Sequence, residues 1–61
     1  MSPREVRQRA RLPQIIVAVR AGVSEPTLRI YEANPDAVRD PVKRASLDEV
    51  YAHLHFGGGV A

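Results

Sequence analysis

The chain has 61 residues, of which 44% are hydrophobic and 26% are charged. A chain of this length and composition forms one small globular domain, leaves no room for a catalytic domain beside a cofactor domain, and is too apolar to be disordered throughout. Cysteine does not occur, which excludes disulfide bonds, thiol nucleophiles and thiolate metal sites.

Positive charge is concentrated in the first half of the sequence. Residues 1–34 contain six arginines and three glutamates, and residues 35–61 contain three basic and four acidic residues, so the two parts carry net charges of +3 and −1. A basic segment favours a polyanion such as nucleic acid as the partner, although a solvated arginine-rich surface would have the same composition. The longest apolar run, residues 15–19, is too short to span a membrane, and no signal-peptide pattern precedes it, so we expect a cytoplasmic protein.

The first predicted helix covers about Pro3–Ala10. Ser2 is a suitable N-cap, the proline after it suits the first helical position, and Glu5 completes a capping box. The helix is expected to end before Leu12-Pro13, because proline lacks a backbone N–H and disfavours helical geometry in the preceding residue.

Residues 14–21 fit two interpretations. Their β-branched residues favour a buried strand, whereas Gly22 and Ser24 favour a helix that stops at the glycine and a second helix capped by the serine. We favour the helix. The next helix then runs from Ser24 to about Ala33 and ends at Asn34.

A short turn over residues 36–39 and a last helix over about Pro41–His55, capped by Asp40, complete the predicted elements. The apolar stripe of this last helix consists of Val42, Leu47, Val50, Tyr51 and Leu54. Residues 57–61 begin with three glycines and are expected to form a flexible tail. The elements predict an all-α fold in which residues 1–56 form a compact domain of four to five short helices.

The most informative segment is residues 12–34, LPQIIVAVRAGVSEPTLRIYEAN. It resembles, without a gap, the helix-turn-helix of the lambda-repressor/Cro-like family, also called the XRE family. The matching residues are Leu12, Gln14, Val17, Ala18, Ala21, Gly22, Val23, Ser24, Thr27, Leu28, Tyr31, Glu32 and Asn34. The resemblance implies a lambda-repressor-like DNA-binding domain, which presents the first turn of its second motif helix to the major groove of DNA.

Outside this segment, the resemblance implies an ion pair between Arg7 and Glu32. Three of the residues that depart from the family pattern lie next to helix ends. Pro13 replaces a threonine or serine cap, Arg11 stands where glycine is common, and Asn34 replaces a glycine, which is acceptable because asparagine also adopts the left-handed conformation.

The second motif helix supplies the candidate base contacts Glu25, Pro26, Arg29 and Ile30. Arg29 is the first candidate, because arginine binds O6 and N7 of guanine in bidentate fashion. Glu25 could accept a hydrogen bond from cytosine N4, but a carboxylate there equally stabilises the helix dipole. The candidate phosphate contacts are Gln14, Ser24, Thr27, Arg9, Arg11, Arg20, Lys43 and Arg44.

Three apolar residues, Ile15, Ile16 and Val19, stand where the family has polar residues that face solvent. An extra apolar surface on a small domain indicates a protein contact. The candidate dimer or partner interface therefore lies on the first motif helix or on the last helix. Its candidate residues are Ile15, Ile16, Val19, Tyr51, Leu54 and Phe56.

The leading hypothesis is a transcriptional regulator that binds double-stranded DNA as a homodimer on a palindromic operator and is nucleoid-associated when bound. A repressor of phage, plasmid or mobile-element type fits this size best. A second hypothesis is a protein–protein interaction module, an anti-activator or adaptor that binds another regulatory protein. A MerR- or excisionase-like DNA-binding protein ranks behind, because residues 35–55 are expected to be helical rather than to form a wing.

We expect no enzymatic activity, metal, cofactor or small-molecule ligand. The acidic residues have capping or surface explanations, and no pattern of catalytic residues accompanies them. His53 and His55 are two residues apart on a helix, so they do not share a face as a metal-binding pair would.

Overall fold

A computed structural model describes residues 1–57, which are all-α and contain no strand. The helices are α1 (Pro3–Arg9), α2 (Gln14–Ala21), α3 (Glu25–Ala33), a 3-10 helix (Pro35–Ala37) and α4 (Pro41–Phe56). The all-α prediction is confirmed, and the alternative of a strand over residues 14–21 is wrong. Gly57 forms a turn after α4, and the rest of the predicted tail, residues 58–61, lies outside the described residues.

Side chains just before three of the helices satisfy backbone N–H groups that have no partner within the helix. Ser2 and Glu5 form the predicted capping box of α1. The Ser24 hydroxyl accepts a hydrogen bond from the backbone of Thr27, and Asp40 accepts two from the first turn of α4. The helix α2 starts after Pro13 without such a cap. These caps fix where the helices begin, as the sequence predicts.

Two helices end at a residue in the left-handed conformation. Gly22 follows α2 with φ 70°, as predicted, and Arg11 adopts φ 58° after α1. Asn34 was expected to adopt this conformation as well, but its φ is −160°, which is extended. The reason is that Asn34 caps the 3-10 helix, where its side-chain oxygen accepts a hydrogen bond from the backbone N–H of Asp36.

The core lies where α4 packs across α1, α2 and α3. Its buried residues are Val6, Val17, Ala18, Ala21, Leu28, Tyr31, Val38, Leu47, Tyr51 and Leu54. Val42 was expected to belong to the buried stripe of α4 but is 73% exposed. Leu47 comes five positions after Val42. At about 100° per residue, the two side chains therefore point roughly 140° apart around the helix.

The left-handed conformation of Gly22 gives a test of this fold. Gly22→Ala is expected to lower the free energy of unfolding by about 1 kcal/mol, because an L-residue is strained at positive φ. Beyond its own residue and the two adjacent ones, a Cβ atom there would meet no atom within 4 Å, so the loss comes from the local backbone conformation and not from a clash with the rest of the fold. Gly22→Asn should cost less in the same urea titration, since asparagine tolerates this conformation. Equal losses for both variants would contradict the explanation.

Candidate nucleic-acid interface

The carboxylate of Glu32, near the end of α3, accepts hydrogen bonds from the other three α-helices. Arg7 of α1 donates through Nε and, at 3.1 Å, through Nη2. Gln14 of α2 donates from its side-chain nitrogen at 3.3 Å, and the Tyr51 hydroxyl of α4 donates at 2.6 Å. The ion pair between Arg7 and Glu32 that the family resemblance implies is therefore present.

Arg7 also fixes the connection between α1 and α2. Its Nη1 donates to the carbonyl oxygen of Leu12 at 3.0 Å. The Arg7 and Glu32 side chains are only 11% and 5% exposed. Burial by itself raises the pKa of Glu32, but the hydrogen bonds from Arg7, Tyr51 and Gln14 outweigh it and hold this pKa below its usual value of 4.5.

A groove next to this network is lined by Arg4, Gln14, Arg29, Glu32 and Ala33. It lies between α1, the N-terminal end of α2 and α3. Because the Glu32 charge is balanced by Arg7, Arg4 and Arg29 give the groove a positive character. A helix N-terminus also favours anions, since its first N–H groups lack partners within the helix.

Arg4 was not among the predicted site residues. The signal that could have found it is its spacing, because residues three apart in a helix lie on the same face. Arg4 is three residues before Arg7, which the family resemblance had already placed against Glu32. This spacing brings Arg4 to the side of α1 that faces the end of α3.

The four predicted base-contact residues lie outside the core. Arg29 and Ile30 are exposed on α3, whereas Leu28 and Tyr31, on its other side, are buried. Pro26 is exposed, and Glu25 is half-buried. An ion pair of 3.5 Å joins Arg29 Nη2 to Glu25 Oε2, one helical turn away. Such a pair between exposed side chains is weak, so Arg29 can exchange this carboxylate for another acceptor.

The predicted phosphate contacts fall into several environments. Ser24 and Thr27 lie at the start of α3, where their hydroxyls are 2.9 Å apart and hydrogen-bonded to each other. Gln14 lines the groove with its side-chain nitrogen bound to Glu32. Arg11, Arg20 and Lys43 are exposed and make no ion pair within residues 1–57.

Two basic residues lie elsewhere than the sequence suggested. Arg44 was predicted to contact phosphate, but its guanidinium is bound to Asp36 at 3.1 Å, to Asp48 at 3.2 Å and to the Pro35 carbonyl oxygen at 2.9 Å. These acceptors make Arg44 a link between the 3-10 helix and α4. Arg9 lines a separate groove between α1 and α4, together with Leu54 and His55 among others.

The predicted interface residues divide between surface and core. Tyr51 and Leu54 are buried at 5% and 7% exposure, so their assignment to an interface is wrong. Both lie on the side of α4 that packs onto the other helices. Phe56 is exposed at the end of α4. The residues Ile15, Ile16 and Val19 are all exposed and cover one continuous side of α2.

Within residues 1–57 no three histidine, aspartate or glutamate side chains are grouped closely enough to hold a metal ion. None of the helices described is both long and apolar enough to cross a membrane. Comparison of the chain with protein-family models, curated proteins and solved structures finds no significant match.

Loss of Arg7 should destabilise the domain strongly. Arg7→Ala leaves the part-buried Glu32 carboxylate without its counter-ion. Breaking a fully buried pair costs about 3–5 kcal/mol, so we expect a loss at or below the lower end of that range. Arg7→Lys keeps the positive charge but lacks the planar guanidinium, so its free energy of unfolding should fall by less. This variant can still be measured if Arg7→Ala does not fold. The exposed Arg4→Ala is the control and should change the unfolding free energy by about 0.5 kcal/mol or less. A similar melting temperature for Arg7→Ala and Arg4→Ala would contradict this role.

The lowered pKa of Glu32 predicts loss of stability in acid. The ionised carboxylate stabilises the folded state above pH 4.5, and this contribution is lost as the pH falls through the lower pKa of the folded state. Urea titrations between pH 7 and pH 3 should therefore show a steeper loss for the wild type than for Glu32→Gln. The control Glu49→Gln, which changes an exposed residue of α4, should retain the wild-type pH dependence.

Proposed function

We propose that the protein is a transcriptional regulator that binds a specific sequence in double-stranded DNA. The observation that carries this proposal is the basic groove at the start of α2, which lies beside the exposed side of α3. Together they offer the two kinds of contact that a DNA-binding protein needs. Phosphate contacts hold the protein in register, and base contacts read the sequence.

The arrangement of α2 and α3 supports the proposal. The two helices are joined by Gly22, Val23 and Ser24 alone, and the small residue Ala18 is buried in the core. In a helix-turn-helix, a short connection of this kind lets the second helix enter the major groove while the first crosses the DNA backbone. In this proposal α3 is the recognition helix, and the chain belongs to the lambda-repressor/Cro-like type.

The chemistry of the exposed α3 residues suits base recognition. Arg29 leaves its weak ion pair with Glu25 and binds a guanine in the major groove. Pro26 and Ile30 are exposed apolar residues suited to the methyl group of thymine. Gln14 and the first N–H groups of α2 bind a phosphate.

The proposed regulator acts as a homodimer on a palindromic operator. A single domain of this size buries less DNA surface than tight specific binding requires. The exposed apolar side of α2, formed by Ile15, Ile16 and Val19, is the better candidate for the dimer interface. On the last helix, Phe56 is the predicted interface residue that is exposed. Repression by occupancy of the operator is the simplest mode of action for such a dimer.

Selection of a duplex from a random pool, followed by fluorescence-anisotropy titration at two salt concentrations, tests the proposal. We expect one palindromic sequence to be enriched and bound by two chains, with affinity that falls steeply as salt rises. Arg29→Ala should weaken binding to this sequence about tenfold or more while leaving random duplexes less affected. Arg9→Ala is the matched control, since it removes the same charge from the groove between α1 and α4. Equal effects of the two variants would contradict base recognition by Arg29.

A second candidate function is favoured by the same apolar side of α2. A protein–protein interaction module would use Ile15, Ile16 and Val19 to bind another regulatory protein, as an anti-activator or adaptor does. The salt titration separates the two functions, because an apolar protein contact does not release counterions. Absence of both enrichment and salt-sensitive DNA binding would favour the interaction module.

A further inference from the structure

The helices α1 and α2 end in the same backbone motif, but with different residues at its left-handed position. In each, the left-handed residue and the residue after it donate backbone hydrogen bonds back into the helix. After α1, the N–H of Arg11 donates to the carbonyl of Gln8 at 3.0 Å, and that of Leu12 donates to Arg7 at 3.3 Å. After α2, the N–H of Gly22 donates to Val19 at 3.1 Å, and that of Val23 donates to Ala18 at 3.0 Å. Arg11 and Gly22 therefore occupy the same left-handed position of this helix-ending motif.

Glycine suits this position and arginine does not. Gly22 adopts φ 70° without strain, whereas Arg11 holds φ 58° against the clash between its Cβ atom and its own backbone. Within residues 1–57 the Arg11 side chain is exposed and takes part in none of the side-chain hydrogen bonds or ion pairs, so only its charge near the C-terminal end of α1 offsets this strain. The contacts within the fold thus give no reason for an arginine at this position.

The position of Arg11 gives a reason of another kind. The next residue, Leu12, is fixed through its carbonyl oxygen to Arg7, which also holds Glu32. Glu32 in turn holds Gln14, which lines the basic groove at the start of α2. The left-handed turn is thus connected to the same hydrogen-bond network as the proposed phosphate-binding groove. Arg11 lies three residues before Gln14, the first residue of α2.

We propose that Arg11 occupies this strained position because its guanidinium binds a backbone phosphate of DNA at the turn that leads into α2, at the expense of the stability of the free protein. This inference rests on the proposed DNA-binding function and assigns to Arg11 a specific part of it. Arginine suits the task, since its planar fork of N–H groups binds phosphate in bidentate geometry. A side chain attached to a hydrogen-bonded turn also loses less conformational entropy on binding than one attached to a flexible loop.

The experiment compares Arg11→Gly with Arg11→Lys, using Arg39→Ala as the control for loss of one positive charge. Arg39 is exposed, does not line the groove and is not among the predicted DNA contacts. Thermal unfolding is measured without DNA, and binding to a random-sequence duplex is measured across a series of salt concentrations. Arg11→Gly should raise the melting temperature by a few degrees, because it removes the strain. The same variant should weaken DNA binding several-fold at low salt and reduce the slope of log K against log salt by about 0.9, the value for one phosphate contact.

The other two variants separate charge from strain. Arg11→Lys keeps both the charge and the strained conformation, so its melting temperature and salt slope should stay near those of the wild type. Arg39→Ala should leave the salt slope nearly unchanged. Opposite shifts of stability and DNA affinity in Arg11→Gly, absent from Arg39→Ala, would support the proposal.

Three results would overturn it. A salt slope for Arg11→Gly equal to that of Arg39→Ala would mean that Arg11 binds no particular phosphate, although the DNA-binding function would stand. An unchanged or lower melting temperature would mean that the strain at Arg11 does not exceed the extra entropy that glycine gives the unfolded chain, so Arg11 would not lower the stability of the free protein. If the wild type shows no salt-dependent binding to any duplex, the proposed function itself fails, and the assignment of Arg11 to DNA fails with it.

Discussion

The buried carboxylate of Glu32 is the constraint on which the arrangement of the helices depends. A carboxylate removed from water is unfavourable unless donors surround it, and here each of the other three α-helices supplies one through Arg7, Gln14 or Tyr51. A shift of any of these helices relative to α3 would break a hydrogen bond to a buried charge. One side chain thereby specifies how the helices sit against one another, whereas the apolar core around them specifies only that they pack.

The same network determines what the surface can do. Because Glu32 takes Arg7 as its counter-ion, Arg4 and Arg29 remain on the wall of the groove at the start of α2. Two carboxylates and a backbone carbonyl bind Arg44, which thereby joins the 3-10 helix to α4. The arginines thus divide into those that hold the fold together and those that are accessible to a polyanion. The overall charge of +2 conceals this division.

Apolar side chains are divided in a similar way. Tyr51 and Leu54 were candidates for an interface but belong to the core, and Val42 was a candidate for the core but lies on the surface. The difference is a matter of angle around α4, since the side chains of Tyr51 and Leu54 point towards the other helices and that of Val42 points away from them. The apolar side of α2 remains exposed, so whatever covers it has to come from outside the described part of the chain.

The sequence by itself determined the local structure of this protein. Caps at Ser2, Ser24 and Asp40 and the turn at Gly22 act over a few residues, which is why the helix bounds followed from the residue pattern to within one or two positions. The conformation of Asn34 was missed, because it depends on the 3-10 helix that follows it. The ion pair between Arg7 and Glu32 was found only through a resemblance, since 25 residues separate its partners.

Among side chains of the same type, such as the arginines, only the tertiary structure decided which are available to a partner. The capture of Arg44, the burial of Tyr51 and the place of Arg4 in a groove all depend on contacts between helices distant in sequence. The strain at Arg11 depends on a backbone angle that no composition or spacing reports. Local hydrogen bonds shape each helix and are encoded nearby, whereas a binding surface is what remains exposed after every helix has packed, and that depends on the whole chain at once.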